Sequence, residues 1–192
     1  MVYGEAAYRE AQQSIETMMT LHPGLPITVV GDRHIEETNH IPVGRRDPGG
    51  RWAKINLDAL SPYAQTLYID ADTRVRQPLW AGFQILADGW DMALTVSDHQ
   101  GDSWLWHVGE AEREATMQST GTKALQLQAG LMFFRKTAAV HRLFAQWRAE
   151  WRGDQDQAAL LRALYQEPAK VWLLGKAWNG GAIVNHRFGA CR

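Results

Sequence analysis

Thr66-Leu-Tyr-Ile-Asp-Ala-Asp72 decides the reading of this chain: a short apolar run that stops at two carboxylates with one residue between them. The run has the length and composition of a buried strand. In open α/β sheets ligands bind beyond the carboxyl ends of the strands, so the pair stands where a site is expected. Two carboxylates so placed can face one hard divalent cation, Mg2+ or Mn2+, which in turn bridges phosphate oxygens. Taken alone, Asp-x-Asp more often marks a solvated acidic turn, and the surrounding sequence has to decide.

Upstream, Ala7, Ala11, Ile15 and Met18 recur at three- and four-residue intervals, which predicts an amphipathic helix from Glu5 to Thr20. His22-Pro23-Gly24 stops it, and Leu25 to Val30 reads as a buried strand. Residues 33 to 51, with Pro42, Pro48 and Gly49-Gly50, read as a long loop with a short strand. A helix from Trp52 to Leu60 follows, ended by Ser61-Pro62. Downstream, Pro78 suits the first turn of a helix to about Ala87, and Asp91 to Val96 is a strand. Ser97 to Thr122 is polar, with a helical stretch near Val108 to Met117. Leu125 to Phe134 reads as a strand or strand pair, Thr137 to Trp151 and Asp156 to Tyr165 as helices, and Val171 to Leu174 and Ala182 to Asn185 as short strands. Alternating strands and helices predict an α/β sandwich with a mainly parallel sheet, and 192 residues fit a single domain spanning 1–192.

The charge balance, 20 Lys plus Arg against 21 Asp plus Glu, gives no bulk electrostatic reason to bind nucleic acid or an anionic membrane. A composition 45% hydrophobic and 21% charged predicts an ordered core. No segment approaches the roughly 18 to 20 apolar residues of a membrane span, and the opening residues do not resemble a signal peptide. Cys191 has no second cysteine to pair with, which fits a reducing compartment, so the expected location is cytoplasmic. Nine tryptophans are an unusual share. Trp52, Trp80, Trp147, Trp151 and Trp172 lie in regular patterns and are read as packing. Trp104 and Trp106 alternate in a polar loop, and Trp178 precedes Asn179, so these form a candidate platform for the apolar face of a sugar ring.

Two enzyme classes place Asp-x-Asp after a hydrophobic strand. In haloacid-dehalogenase-type phosphatases the second Asp is followed two residues on by Thr or Val, where this chain has Arg74, and the motif opens the domain instead of falling mid-chain. In nucleotide-sugar transferases of the GT-A fold, the pair holds a metal on the donor diphosphate. The stretch from Lys54 to Thr73 resembles the core of glycosyltransferase family 8, which includes glycogenin and bacterial lipopolysaccharide galactosyltransferases, down to a lysine sixteen residues before the first Asp. Further resemblances follow in family order: Gln128-Ala129-Gly130 before an apolar strand, Asp156-Gln157 with Leu160, Trp178-Asn179, and Asn185-His186 with Gly189, Gln128 standing where the family has Asn.

The resemblance implies a Rossmann-like GT-A three-layer sandwich with a mainly parallel mixed sheet, its first strand truncated to a stub at Val2, Tyr3 and Gly4. It implies a metal-dependent transferase moving a hexose from a nucleotide diphosphate sugar, UDP-sugar foremost, to a carbohydrate or glycolipid acceptor, with retention of configuration. Asp70, Asp72 and His186 would hold Mn2+ or Mg2+. Tyr8, Lys54, Asp70, Ala71, Asp72, Ala129 and Gly130 would contact the donor, with Tyr8 on the base. Asp156, Gln157 and Gln128 would act at the reacting sugar, and Trp104, Trp106, Trp178 and Asn179 would face the acceptor. Two alternatives stay open: a catalytically silent sugar-nucleotide-binding relative, and a metal-dependent phosphatase using Asp70 and Asp72.

Overall fold

The computed structural model describes residues 1–44, 50–153 and 155–191; the turn residues Pro48 and Gly49, together with Asp154, lie outside them. Helix α1 (Gly4–Leu21) precedes a parallel pair, β1 (Thr28–Gly31) and β2 (Asn39–Pro42). The helix expected over 52–60 is two short ones, α2 (Gly50–Lys54) and α3 (Leu57–Leu60). Between them the Asn56 side chain donates to the Trp52 carbonyl (2.7 Å), a local bond that competes with the helical ladder.

Strands β3 (Gln65–Ile69) and β4 (Thr73–Val75) flank the two aspartates, followed by α4 (Trp80–Ala87) and β5 (Met92–Val96). Pro78 lies just ahead of α4 and not within its first turn. The chain closes with α5 (Glu110–Thr120), β6 (Leu127–Arg135), α6 (Ala138–Glu150), α7 (Asp156–Gln166), β7 (Val171–Leu174) and β8 (Val184–His186). Thr137 caps α6 by accepting from the Val140 N–H (3.3 Å), as N-cap threonines do.

The central sheet runs β3-β6-β5-β7. β6 is antiparallel to both its neighbours and β5 parallel to β7, so β3, β5 and β7 share one direction and the sheet is mixed. Along β6, side chains alternate between two apolar layers. Met132 and Phe134 pack with Val140, Phe144 and Trp147 of α6, and Leu131 and Phe133 with Leu86 of α4 and Met18 of α1. A Cβ on Gly82 of α4 would lie 2.1 Å from the Phe133 ring, so that helix reaches the sheet only through a glycine. These are the two helical layers of a three-layer sandwich.

Among the described residues Val2 alone continues strand structure beside β1 on the side away from β2, through an isolated parallel bridge to Gly31. Between β1 and β3 lies an apolar groove of about 200 Å³, walled by residues 27–30 and 65–69 with side chains of α1 and α3. Among the described residues no helix is long and apolar enough to cross a membrane.

Candidate metal and donor site

Because β6 runs against β3 and β5, its first residues lie at their carboxyl ends. The Asp70 N–H donates to the Gly130 carbonyl (2.9 Å), which puts 128–130 beside the two aspartates. β4 then pairs antiparallel with β8, with Thr73 opposite His186, and so returns a residue far down the chain to Asp72. Gln128, Ala129, Gly130, Asp156 and Gln157 face the same cavity as Asp70, which measures about 950 Å³.

Asp70, Asp72 and His186 each offer one ligand atom, all within 4.8 Å of one another. His186 Nε2 is 3.1 Å from Asp72 Oδ1 and 3.8 Å from Asp70 Oδ2. Two carboxylate oxygens and one imidazole nitrogen suit Mn2+ or Mg2+, so the residues present fit the implied ion. The trio is tightly framed. A Cβ on residue 130 would stand 2.7 Å from His186 Cε1 and 3.1 Å from Asp70 Oδ2, so only a glycine leaves room for both side chains. The Gly189 N–H donates to Asp72 Oδ2 (3.1 Å), and the Phe188 ring stacks on His186 at 3.9 Å. Burial pushes the Asp72 carboxyl up, but the hydrogen bond and charge of His186 outweigh it and leave its pKa below the ordinary value.

Lys54 lies between two acids, 3.1 Å from Asp70 Oδ1 and 3.4 Å from Asp156 Oδ2. Burial opposes its charge, yet Asp156 and Asp70 prevail and hold its pKa above the ordinary lysine range. Tyr68, two residues before Asp70 on the same strand face, donates its hydroxyl to Asp70 Oδ1. It was not among the expected site residues, although strand alternation places it on the face of Asp70. The Gln157 amide donates to the Leu127 carbonyl, and the Trp147 indole donates to the carbonyl of Asp156 (2.8 Å), which fixes the start of α7.

Several expected contacts fall elsewhere. Tyr8 is on α1 beneath the Arg33 guanidinium, 5.6 Å from its ring centre, and does not line the cavity. Trp104 is 5% exposed and donates its indole N–H to the Ala124 carbonyl (2.8 Å), which makes it an anchor of the loop. Trp178 packs edge-on against Phe133 and is likewise absent from the cavity wall. Of the three-tryptophan platform only Trp106 faces the cavity, 60% exposed, with His99 and His107 beside it. Asn179 borders the cavity but is buried, bonded to Gln128 and His186. Trp80 and Trp172, read as packing, are 53% and 43% exposed. His107 and Lys176 also line the cavity; they lay in segments read for their tryptophans alone.

No protein-family model and no curated protein matches this sequence. Solved structures do. The apo form of mouse xyloside xylosyltransferase 1 aligns at TM-score 0.58 and 10% identity over 88% of this chain and 80% of that one. The bifunctional glycosyltransferase WbbM aligns at TM-score 0.64 and 14% identity over 90% of this chain but 37% of its own. The galactosyltransferase LgtC, solved in complex with donor and acceptor sugar analogues, aligns at TM-score 0.54 and 16% identity over 88% of this chain and 69% of its own. With strand order, layers and these likenesses in agreement, the chain has the GT-A fold of glycosyltransferases.

Proposed function

We propose that this protein is a metal-dependent glycosyltransferase of the family 8 kind, moving a hexose from a nucleotide diphosphate sugar to a hydroxyl of a carbohydrate or glycolipid acceptor with retention. The observation that carries this is the Asp70, Asp72 and His186 trio at the carboxyl end of β3, opening on the cavity that also holds Lys54 and Asp156. Asp70, Asp72 and His186 would hold Mn2+ or Mg2+, which when bound supplies positive charge to the departing nucleoside diphosphate.

The chain's own groups do the rest. Lys54 keeps a permanent positive charge against the donor side and balances two carboxylates that would otherwise repel each other. Asp156, at the first turn of α7, lines the cavity with its Oδ2 buried against Lys54 (3.4 Å), a fixed negative charge beside the reacting sugar that would steady developing positive charge at the anomeric carbon. Gln157 is tied to β6 and orients that turn. Trp106 offers an exposed ring face to an acceptor sugar.

A thermal-shift panel of nucleotide sugars with and without Mn2+ tests the reading, because a ligand of the native state raises the midpoint. A shift that needs both Mn2+ and one donor, followed by release of that nucleoside diphosphate, is the expected result. Donor binding without release would establish a silent relative, and phosphate release from simple aryl phosphates would establish a phosphatase.

A further inference from the structure

Asn179 is 4% exposed at the end of the 3-10 turn Lys176–Trp178, and both ends of its amide are engaged. Its Nδ2 donates to Gln128 Oε1 (2.9 Å), and its Oδ1 lies 2.6 Å from His186 Nδ1. We infer that Gln128 and Asn179 form a relay that presents His186 to a divalent cation, making Asn179 a positioning residue and not an acceptor contact. The inference rests on the metal reading of the site.

The direction of the bonds is the argument. An amide oxygen facing Nδ1 can only accept, so Nδ1 carries a hydrogen, and in the neutral ring that binds a cation Nε2 then holds the lone pair. Nε2 is the atom directed at Asp72 and Asp70. Were the Asn179 amide reversed, its N–H would face Nδ1 and require the other tautomer, with a hydrogen at Nε2 and no lone pair for a cation. The Gln128 carbonyl favours the observed orientation by taking the Asn179 N–H. Partners of this kind around a ligating histidine fix both its tautomer and its ring plane. The plane is held further by Phe188 stacked on one face and by Gly130, which leaves room for Cε1.

Mn2+ binding to the full chain, followed by the electron paramagnetic resonance of the free ion, tests the relay without reference to turnover. Asn179→Leu keeps the branched shape and removes the acceptor; it is expected to weaken Mn2+ about 10-fold or more. Asn179→Asp keeps an acceptor for Nδ1–H, with Gln128 turning its amide to donate, and is expected to stay within about 3-fold of the parent. Gln128→Leu should weaken binding as well, and the double Leu variant no further than Asn179→Leu alone. Metal-free melting shows which variants fold, and if Asn179→Leu does not, Gln128→Leu and Asn179→Asp decide. Parent-like affinity in Asn179→Leu, or in Gln128→Leu when the first is unfolded, overturns the relay and leaves the metal reading standing. A parent that binds no Mn2+ overturns both.

Discussion

At the metal corner each side chain is held by a ladder pairing or by a bond from a distant part of the chain, whereas the rim of the same cavity carries Trp106 and His107 on the loop that enters α5. His186 is fixed by β8 pairing with β4, by Asn179 and by Phe188, while Trp106 touches only the imidazoles of His99 and His107 among the ring contacts. The corner is built for one arrangement of atoms, whereas the rim leaves the Trp106 ring 60% exposed. That is the division expected of a transferase that must grip one donor and meet a variable partner.

Substitutions can break this contrast. Asp70→Ala or Asp72→Ala should lower Mn2+-dependent release of nucleoside diphosphate about 100-fold or more, since a charge-stabilising group is lost; near-parental release would remove the corner from the chemistry. Gly130→Ala, one methyl group, should cost about 10-fold or more in Mn2+ affinity by pushing His186 and Asp70 apart, and a titration with unchanged affinity would show the corner to be pliant. Within the rim, two tryptophans separate loop anchoring from ligand contact. Trp104→Ala should destabilise by about 3–5 kcal/mol in urea unfolding, as buried Trp truncations do. Trp106→Ala should leave the unfolding midpoint nearly unchanged and raise the acceptor KM several-fold.

The smallest effect concerns pH. Burial lowers the pKa of His107, with Asp156 and Gln157 pulling the other way. The unfolded chain therefore takes up this proton first, and stability falls as pH drops below the ordinary histidine value of about 6.5. Urea midpoints at pH 7.5 and 5.5 should differ more in the parent than in His107→Gln; equal differences would show that the rim makes no contribution to that slope.

The sequence made the sheet legible where a strand is buried on both faces, because β5 and most of β6 are apolar runs. It showed Asp70 and Asp72 because both sit at one strand end. His186 was reachable only through the family order of motifs, since the pairing that brings it to Asp72 spans more than a hundred residues and leaves no local signal. Trp104 and Trp106 were misread as one platform because alternate residues share a face only in extended chain. Leu105 between them has φ of +50°, a left-handed turn that sends one indole inward to Ala124 and the other out to the cavity. Tyr8 was placed by resemblance, and the helix it belongs to turns it toward Arg33 instead.

The groove between β1 and β3 has a bearing on how molecules of this protein meet one another. Two strand edges border it, each unpaired on that side apart from Val2 among the described residues, and an unpaired edge is ordinarily a template for a strand from another chain. Here the edges look at each other across a slot also walled by α1 and α3, which a foreign sheet edge cannot enter flat. The outward edges are β2 and β7. Pro42, which has no N–H to donate, ends β2, but β7 presents Trp172 and Leu173 half-exposed and carries no proline. Self-association at high concentration should therefore begin along β7, and a lysine at Leu173 is the change that would suppress it.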